Sequence, residues 1–222
     1  MVIDLSRGTT ELFGRMSRTT RYEIAKIDRQ SGRLQVRRND PRSWDDFQTI
    51  YNAFVRANRH TTEISRYHLD VLKPFTDVLV LYLDRRPVCA HLMLRDEKIR
   101  RVAGIWPASI RLADVRAANL MGSLNRWLHW YEMRMCKSEG MLVYDLGGTV
   151  SENLTKFKLS LGGSRVMQHE YILARTPARL AFRLFRFLQR MRTGKRPASA
   201  TGAPPNRKRE HGAMGLPEMV GD

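Results

Sequence analysis

Cysteine is nearly absent from this 222-residue chain, which carries two. Cys89 and Cys136 fall in separate segments without CxxC spacing, so neither a disulfide framework nor a thiolate metal site is expected. Both read as small apolar core residues of a reducing compartment. Long apolar runs are also missing: the longest aliphatic stretch, residues 78–83 (VLVLYL), is far too short to cross a bilayer. Residues 1–7 (MVIDLSR) lack the apolar core of a secretory signal, and together these features predict a cytoplasmic location. His129 and His169 stand at no metal-ligand spacing from each other or from the cysteines, so no metal is assigned. Acid is in short supply, with 22 Asp and Glu against 39 Lys and Arg and a net charge of +17. Such a field favours polyanions: nucleic acid, phosphorylated cofactors or an anionic membrane surface. A 42% hydrophobic content still suffices for a real core, which excludes wholesale disorder.

The pattern is helical from residue 5, stops at Ser31-Gly32, and alternates like a strand over residues 34–36. After a break at Asn39-Asp40-Pro41, Ser43 is the expected cap of a helix with Asp45 and Asp46 in its first turn. Phe47, Ile50, Tyr51, Phe54 and Val55 form its buried face, and a shorter helix covers residues 63–71. Residues 77–105 read as an antiparallel meander with strands at 78–83, 88–94 and 99–105. Turns are expected at Asp84-Arg85-Arg86-Pro87 and at Asp96-Glu97. A long helix follows over residues 115–138, with Leu120, Leu124, Trp127, Leu128, Tyr131 and Met135 on one face, closed by Gly140. A strand at 142–146, a short helix with a capping box at Thr149-Val150-Ser151-Glu152, and a last strand at 164–174 complete the domain. The order predicts a mixed α/β (α+β) fold, a central sheet flanked by helices. Beyond it, an amphipathic helix at 176–193 carries Arg179, Arg183, Arg186 and Arg190 on one stripe, and residues 194–222 read as a disordered tail. The expected division is a basic N-terminal arm and first strand (1–40), the main domain (41–175), the arginine helix (176–193) and the tail (194–222).

One stretch points to chemistry. Tyr144-Asp145-Leu146-Gly147-Gly148 ends a strand in a glycine pair, and Phe157-Lys158 then precedes a second pair, Gly162-Gly163. Gly147 and Gly148 let the chain leave the sheet and bring backbone amides close to a ligand. Lys158 lies at the edge of an apolar stripe made by Val150, Leu154, Phe157 and Leu161. It either stabilises an oxyanion or phosphate there, or extends its charge to the surface. Asp145 either orients or deprotonates a substrate, or caps the following turn. Tyr144 faces the other side of its strand, as core. His91 shares a strand face with Cys89, Met93 and Arg95, and is a candidate base or acceptor contact, or a structural histidine.

This order, from the Asn-, Leu- and Trp-rich helix through Tyr-Asp-Leu-Gly-Gly to Phe-Lys and Gly-Gly, resembles the acyl-transfer domain of the Fem peptidoglycan aminoacyltransferases and their GNAT-type acetyltransferase relatives. A looser echo lies at Thr20-Arg21-Tyr22-Glu23-Ile24 and Gly32. The resemblance implies a GNAT-like fold and an N-acyltransferase with no bound cofactor. It would use acyl-CoA or aminoacyl-tRNA as co-substrate and act on an amine of a cell-envelope precursor, nucleotide sugar or similar metabolite. It implies Lys158, Asp145 and His91 as catalytic candidates, with Gly147, Gly148, Phe157, Arg21, Arg116 and Asn119 around substrate or carrier. Two departures matter. Acetyl-CoA-dependent relatives carry Arg/Gln-x-x-Gly-x-Gly/Ala before the long helix; here Arg116 and Asn119 stand without the glycines, which favours aminoacyl-tRNA as donor. Fem enzymes also resemble two such domains in tandem, so this chain would need a homodimer or a simpler tRNA surface. Expected partners are a small or lipid-linked amine and tRNA; residues 176–193 either pack their apolar face on the domain with the arginines in water, or meet the inner membrane face, or contact the tRNA backbone. The alternative is a non-catalytic basic module that holds RNA or an anionic membrane.

Overall fold

The computed structural model describes residues 1–58, 63–110, 115–148 and 151–167, with backbone alone at 115–117. The expected strand beyond residue 167, the arginine helix, the tail and the Arg116 side chain lie outside the described residues.

Residues 1–167 form one compact unit around a six-stranded sheet. In chain order the elements are β1 (Val2–Asp4), α1 (Thr9–Gly14), α2 (Arg18–Asp28), β2 (Leu34–Arg38), α3 (Pro41–Ala57), α4 (Arg66–Leu72), β3 (Thr76–Leu83), β4 (Arg86–Asp96), β5 (Arg101–Ser109), α5 (Val115–Ser138), β6 (Val143–Asp145) and α6 (Glu152–Ser160). The spatial order is β1-β6-β5-β4-β3-β2, antiparallel throughout except for the β5–β6 pair. The meander of β3, β4 and β5 follows from alternating apolar runs joined by tight turns. Asp84 and Arg85 take φ values of 49° and 65°, the left-handed pair a two-residue hairpin loop needs, so β4 already begins at Arg86.

Helices cover both faces, because each face of the sheet is apolar. On one side Val78, Val80, Tyr82, Leu92 and Ala108 meet Trp44, Phe47 and Ile50 of α3 and Leu69 of α4. On the other, Leu79, Leu81, Cys89, Met93 and Val102 meet α2 and α5 through Ile24, Ile27, Leu124 and Leu128. Asp77, Arg38, Arg95 and Glu139 tie the end of α5 to the sheet, with Arg38–Asp77 at 2.6 Å and Arg95–Glu139 at 2.5 Å.

Several expectations are corrected. The N-terminal segment is woven into the unit: β1 pairs with β6, which no sequence pattern announced, and Phe13 of α1 packs on Trp130 with ring centroids 5.2 Å apart. Asp40, not Ser43, caps α3, accepting from the Ser43 amide at 2.7 Å with Pro41 at the first turn. Ser151, not Thr149, caps α6 through the Leu154 amide. The third meander strand starts at Arg101 rather than Ile99, since Arg100 turns at φ 53°, and it runs on to Ser109. Of the last expected strand, the described part makes one bridge, Val2 to Ser164. On α5 the expected apolar face includes Trp127, whose Nε1 donates to Asp28 of α2 at 2.6 Å. Beside Leu124 and Leu128 of that face, Met121, His129, Glu132 and Cys136 are also buried.

Candidate active site

Strands β5 and β6 are paired over only three positions, Arg101–Val143, Val102–Tyr144 and Ala103–Asp145, and then separate. The register between β4 and β5 also shifts here, with Leu92 opposite Trp106 but Met93 opposite Gly104, so Ile105 is a bulge residue. Pro107 lies past the point where β6 has left, where a residue without an amide is tolerated. A cavity of about 380 Å³ fills the fork. Gly104 and Leu146 lie at its base, Asn125 and His129 of α5 form one wall, and Phe157 and Lys158 of α6 form another.

Lys158 is 7% exposed. Its Nζ donates to the Gly148 carbonyl at 2.6 Å, which holds the side chain along the cavity wall. Burial lowers its pKa, and the charge of Asp145 offsets part of that effect. The turn that makes this possible needs Gly147 at φ 75°, where a Cβ would be strained and would also meet the Gly104 carbonyl oxygen at 3.5 Å. Asp145 accepts from the Gly147 amide at 2.7 Å, and Arg101 donates to its other oxygen. Asp145 therefore braces the glycine turn behind Lys158; it is not part of the cavity lining.

From the α5 wall a largely buried polar chain runs inward. His91 of β4 faces Glu132 Oε1 through Nδ1 at 2.8 Å and the side-chain Oδ1 of Asn125 through Nε2 at 2.8 Å. The Tyr144 hydroxyl donates to Glu132 Oε2, and Nδ1 of His129 lies 2.8 Å from that hydroxyl. Burial opposes charge on Glu132, but the His91 cation and hydrogen bonds from both histidines prevail and bring the carboxyl down to about 2. His91 is raised on balance: burial pulls it down, and Glu132 more than compensates. His129 is lowered, first by burial and then by the His91 cation. Tyr144 is raised well above the usual phenol by burial and by Glu132. His91, His129 and Glu132 offer atoms within 4.8 Å of one another, close enough for three metal ligands. Both ring nitrogens of His91, Nδ1 of His129 and both oxygens of Glu132 already bond within the trio, to Tyr144 or to Asn125, so the trio forms a hydrogen-bonded network.

Among the sequence candidates, Lys158 and Phe157 line the cavity, and Gly147 and Gly148 form the turn beside it. His91 lies one layer behind, with Asn125 between. Arg21 donates to the carbonyls of Gly14 at 2.6 Å and Met16 at 3.1 Å, and so closes the α1–α2 corner. Asn119 lines a separate hollow between α2 and α5, which meets the cavity at Arg126. Sequence reading missed Asn125, His129, Glu132 and Gly104. The signal for the first three was a polar stripe at four- and three-residue steps on α5, masked by the apolar stripe beside it.

Residues 14–159 match the family model described as the acetyltransferase (GNAT) domain. The chain belongs to the GNAT acetyltransferase family. No curated protein sequence is detectably similar. Among solved structures, FemX superposes with a TM-score of 0.59 at 13% identity over 73% of this chain and 57% of that one, a likeness of fold. This GNAT chain therefore spans little more than half the length of FemX. The C-terminal domain of a putative lysylphosphatidylglycerol synthetase from Agrobacterium fabrum gives 0.49 at 15% identity over 66% and 45%. An aminoglycoside acetyltransferase from an uncultured soil metagenomic sample gives 0.47 at 14% identity over 65% and 98%. Among the described residues of this GNAT protein, no helix is long and apolar enough to cross a membrane.

Proposed function

We propose that this protein is an N-acyltransferase that moves an acyl or aminoacyl group onto a primary amine of a cell-envelope precursor or similar amino-bearing metabolite. The observation that carries this reading is the forked sheet with a buried lysine on the cavity wall, its Nζ held by the Gly148 carbonyl. Attack of an amine on an activated carbonyl places negative charge on the carbonyl oxygen. A fixed, partly desolvated ammonium beside that oxygen stabilises it far more than water would. Lys158 has two further N–H bonds for this purpose. Asp145 acts indirectly, holding the Gly147 turn and keeping a counter-charge near Lys158. Lys26, Asn119 and Arg126 border the adjoining hollow and suit the phosphates of a carrier, either CoA or the 3′ end of tRNA. The net charge of +17 favours both carriers, and a membrane contact through residues 176–193 would serve a lipid-linked acceptor.

The test offers labelled acetyl-CoA and labelled alanyl-tRNA separately, with D-glucosamine and a lysine-containing peptide as amine probes. Transfer from either donor is expected, and Lys158→Ala should lower its rate by about 10²–10³-fold without changing the melting temperature. If neither donor is consumed, while RNA is retained equally well by the wild type and by Lys158→Ala, the chain is a basic binding module instead.

A further inference from the structure

The buried chain behind the cavity has a direction. The Glu132 carboxylate can only accept, so the Tyr144 O–H that meets its Oε2 must donate. The lone pair of the Tyr144 oxygen then accepts from Nδ1 of His129, 2.8 Å away, and this fixes the proton of His129 on Nδ1. On the other arm, His91 faces the carboxylate with Nδ1 and the side-chain Oδ1 of Asn125 with Nε2. Both are acceptors, so His91 carries both protons and the charge. What remains is Nε2 of His129, a lone pair with no hydrogen-bond partner among the described residues, on a ring that lines the cavity beside Phe157 and Lys158.

We propose that His129 is the general base of the transfer, taking the amine proton on Nε2 while Tyr144, Glu132 and His91 act as positioning residues that fix its tautomer. The proposal rests on the cavity being the site of transfer. As the amine nitrogen bonds to the carbonyl carbon, its N–H becomes acidic and the proton passes to Nε2. The carbonyl electron pair moves to oxygen, beside Lys158, and returns to expel the carrier's thiolate or 3′ oxygen. That leaving group takes up the proton from His129, directly or through water, and the imidazole is neutral again. The charged and titratable groups around His129 agree with this cycle. Glu132 from its own helix would favour the imidazolium after transfer, His91 of β4 and Lys158 of α6 keep it neutral beforehand, and Tyr144 of β6 stays a phenol. His91, which the sequence offered as base, is already protonated and does not reach the cavity.

Histidine-selective ¹⁵N NMR on the full chain, assigned with His91→Asn and His129→Asn, reads the ground state directly. Neutral His129 with its proton on Nδ1 and a doubly protonated His91 are expected at pH 7. The opposite His129 tautomer, or a charged His129, would overturn the proposal. Kinetics then use whichever of acetyl-CoA or alanyl-tRNA the wild type consumes, with D-glucosamine as acceptor. His129→Asn keeps an N–H for Tyr144 and should lower kcat by about 10²–10⁴-fold with KM little changed, abolishing the acid limb of the pH profile. His91→Asn removes a neighbouring cation, so the limb should move to higher pH. If Lys158→Ala loses transfer while His129→Asn keeps both its rate and its limb, the base is elsewhere and the site reading survives. If both variants transfer normally, the site reading falls, and the base with it. Activity lost to a chelator and restored by Zn²⁺ would assign the trio to a metal and also overturn the proposal. Should His129→Asn fail to fold, the wild-type NMR and the shift in His91→Asn decide the matter.

Discussion

A methyl group on Gly163 would stand 2.8 Å from the Lys158 carbonyl oxygen and 3.2 Å from Cδ1 of Leu146. The close approach is backbone against backbone, so nothing can rotate away. Gly163→Ala is expected to cost about 1–3 kcal/mol and to displace the turn that aims Lys158, so melting temperature and transfer rate should fall together. At Gly148 an added methyl meets nothing within 4 Å, and Gly148→Ala should melt like the wild type. Tyr144→Phe removes a hydroxyl that serves two buried partners, leaving Glu132 Oε2 and the His129 N–H only their longer 3.4 Å approach to each other. A loss of about 1–3 kcal/mol in denaturant titration is expected. Glu132 also sets a pH dependence. Its folded pKa of about 2 lies below the ordinary value of 4.5, so its contribution is present above pH 4.5 and is lost as pH falls towards 2. At about 1.4 kcal/mol per pH unit this amounts to about 3 kcal/mol. Melting curves between those pH values should fall steeply for the wild type and more shallowly for Glu132→Gln.

Among the elements, β1 has a role out of proportion to its three residues. It covers the outer edge of β6, with Ile3 buried opposite Tyr144 and Val2 bridged to Ser164, so it holds the strand that carries Asp145 and the glycine turn. Ile3→Ala should cost about 2–4 kcal/mol by thermal melting and reduce transfer, although Ile3 does not line the cavity. This element was illegible beforehand because three residues cannot show a period, and its partner β6 lies far along the chain, with Ile3 paired to Tyr144. The long helix, by contrast, declared itself over its whole length, 115–138, because more than six turns of uninterrupted periodicity are a strong signal. Its apolar face was legible, but its polar stripe was not, since the buried partners of His129 and Glu132 come from β4 and β6. The glycine pairs and Lys158 stood out because chain reversals and isolated cations are local features. Arg21 and His91 could not be placed, since the carbonyls and the carboxylate that engage them are set by tertiary packing.

At the scale of the whole molecule the excess of base is unbalanced. Binding to tRNA or to anionic vesicles should be measurable at low salt and should weaken steeply between about 50 and about 200 mM, with a slope that counts the phosphates engaged. Amine transfer to D-glucosamine, which carries no phosphate, should depend on salt only through the carrier. The described interior also holds a buried ion pair, His91 with the Glu132 carboxylate 2.8 Å away in direct contact. Neither can be lost alone without leaving a bare charge in the core, and His91 and Glu132 lie 41 residues apart on different elements. Descent should therefore treat the two as a single character. A relative that has abandoned Glu132 is expected to have abandoned His91 as well, and to fill the space with an apolar pair.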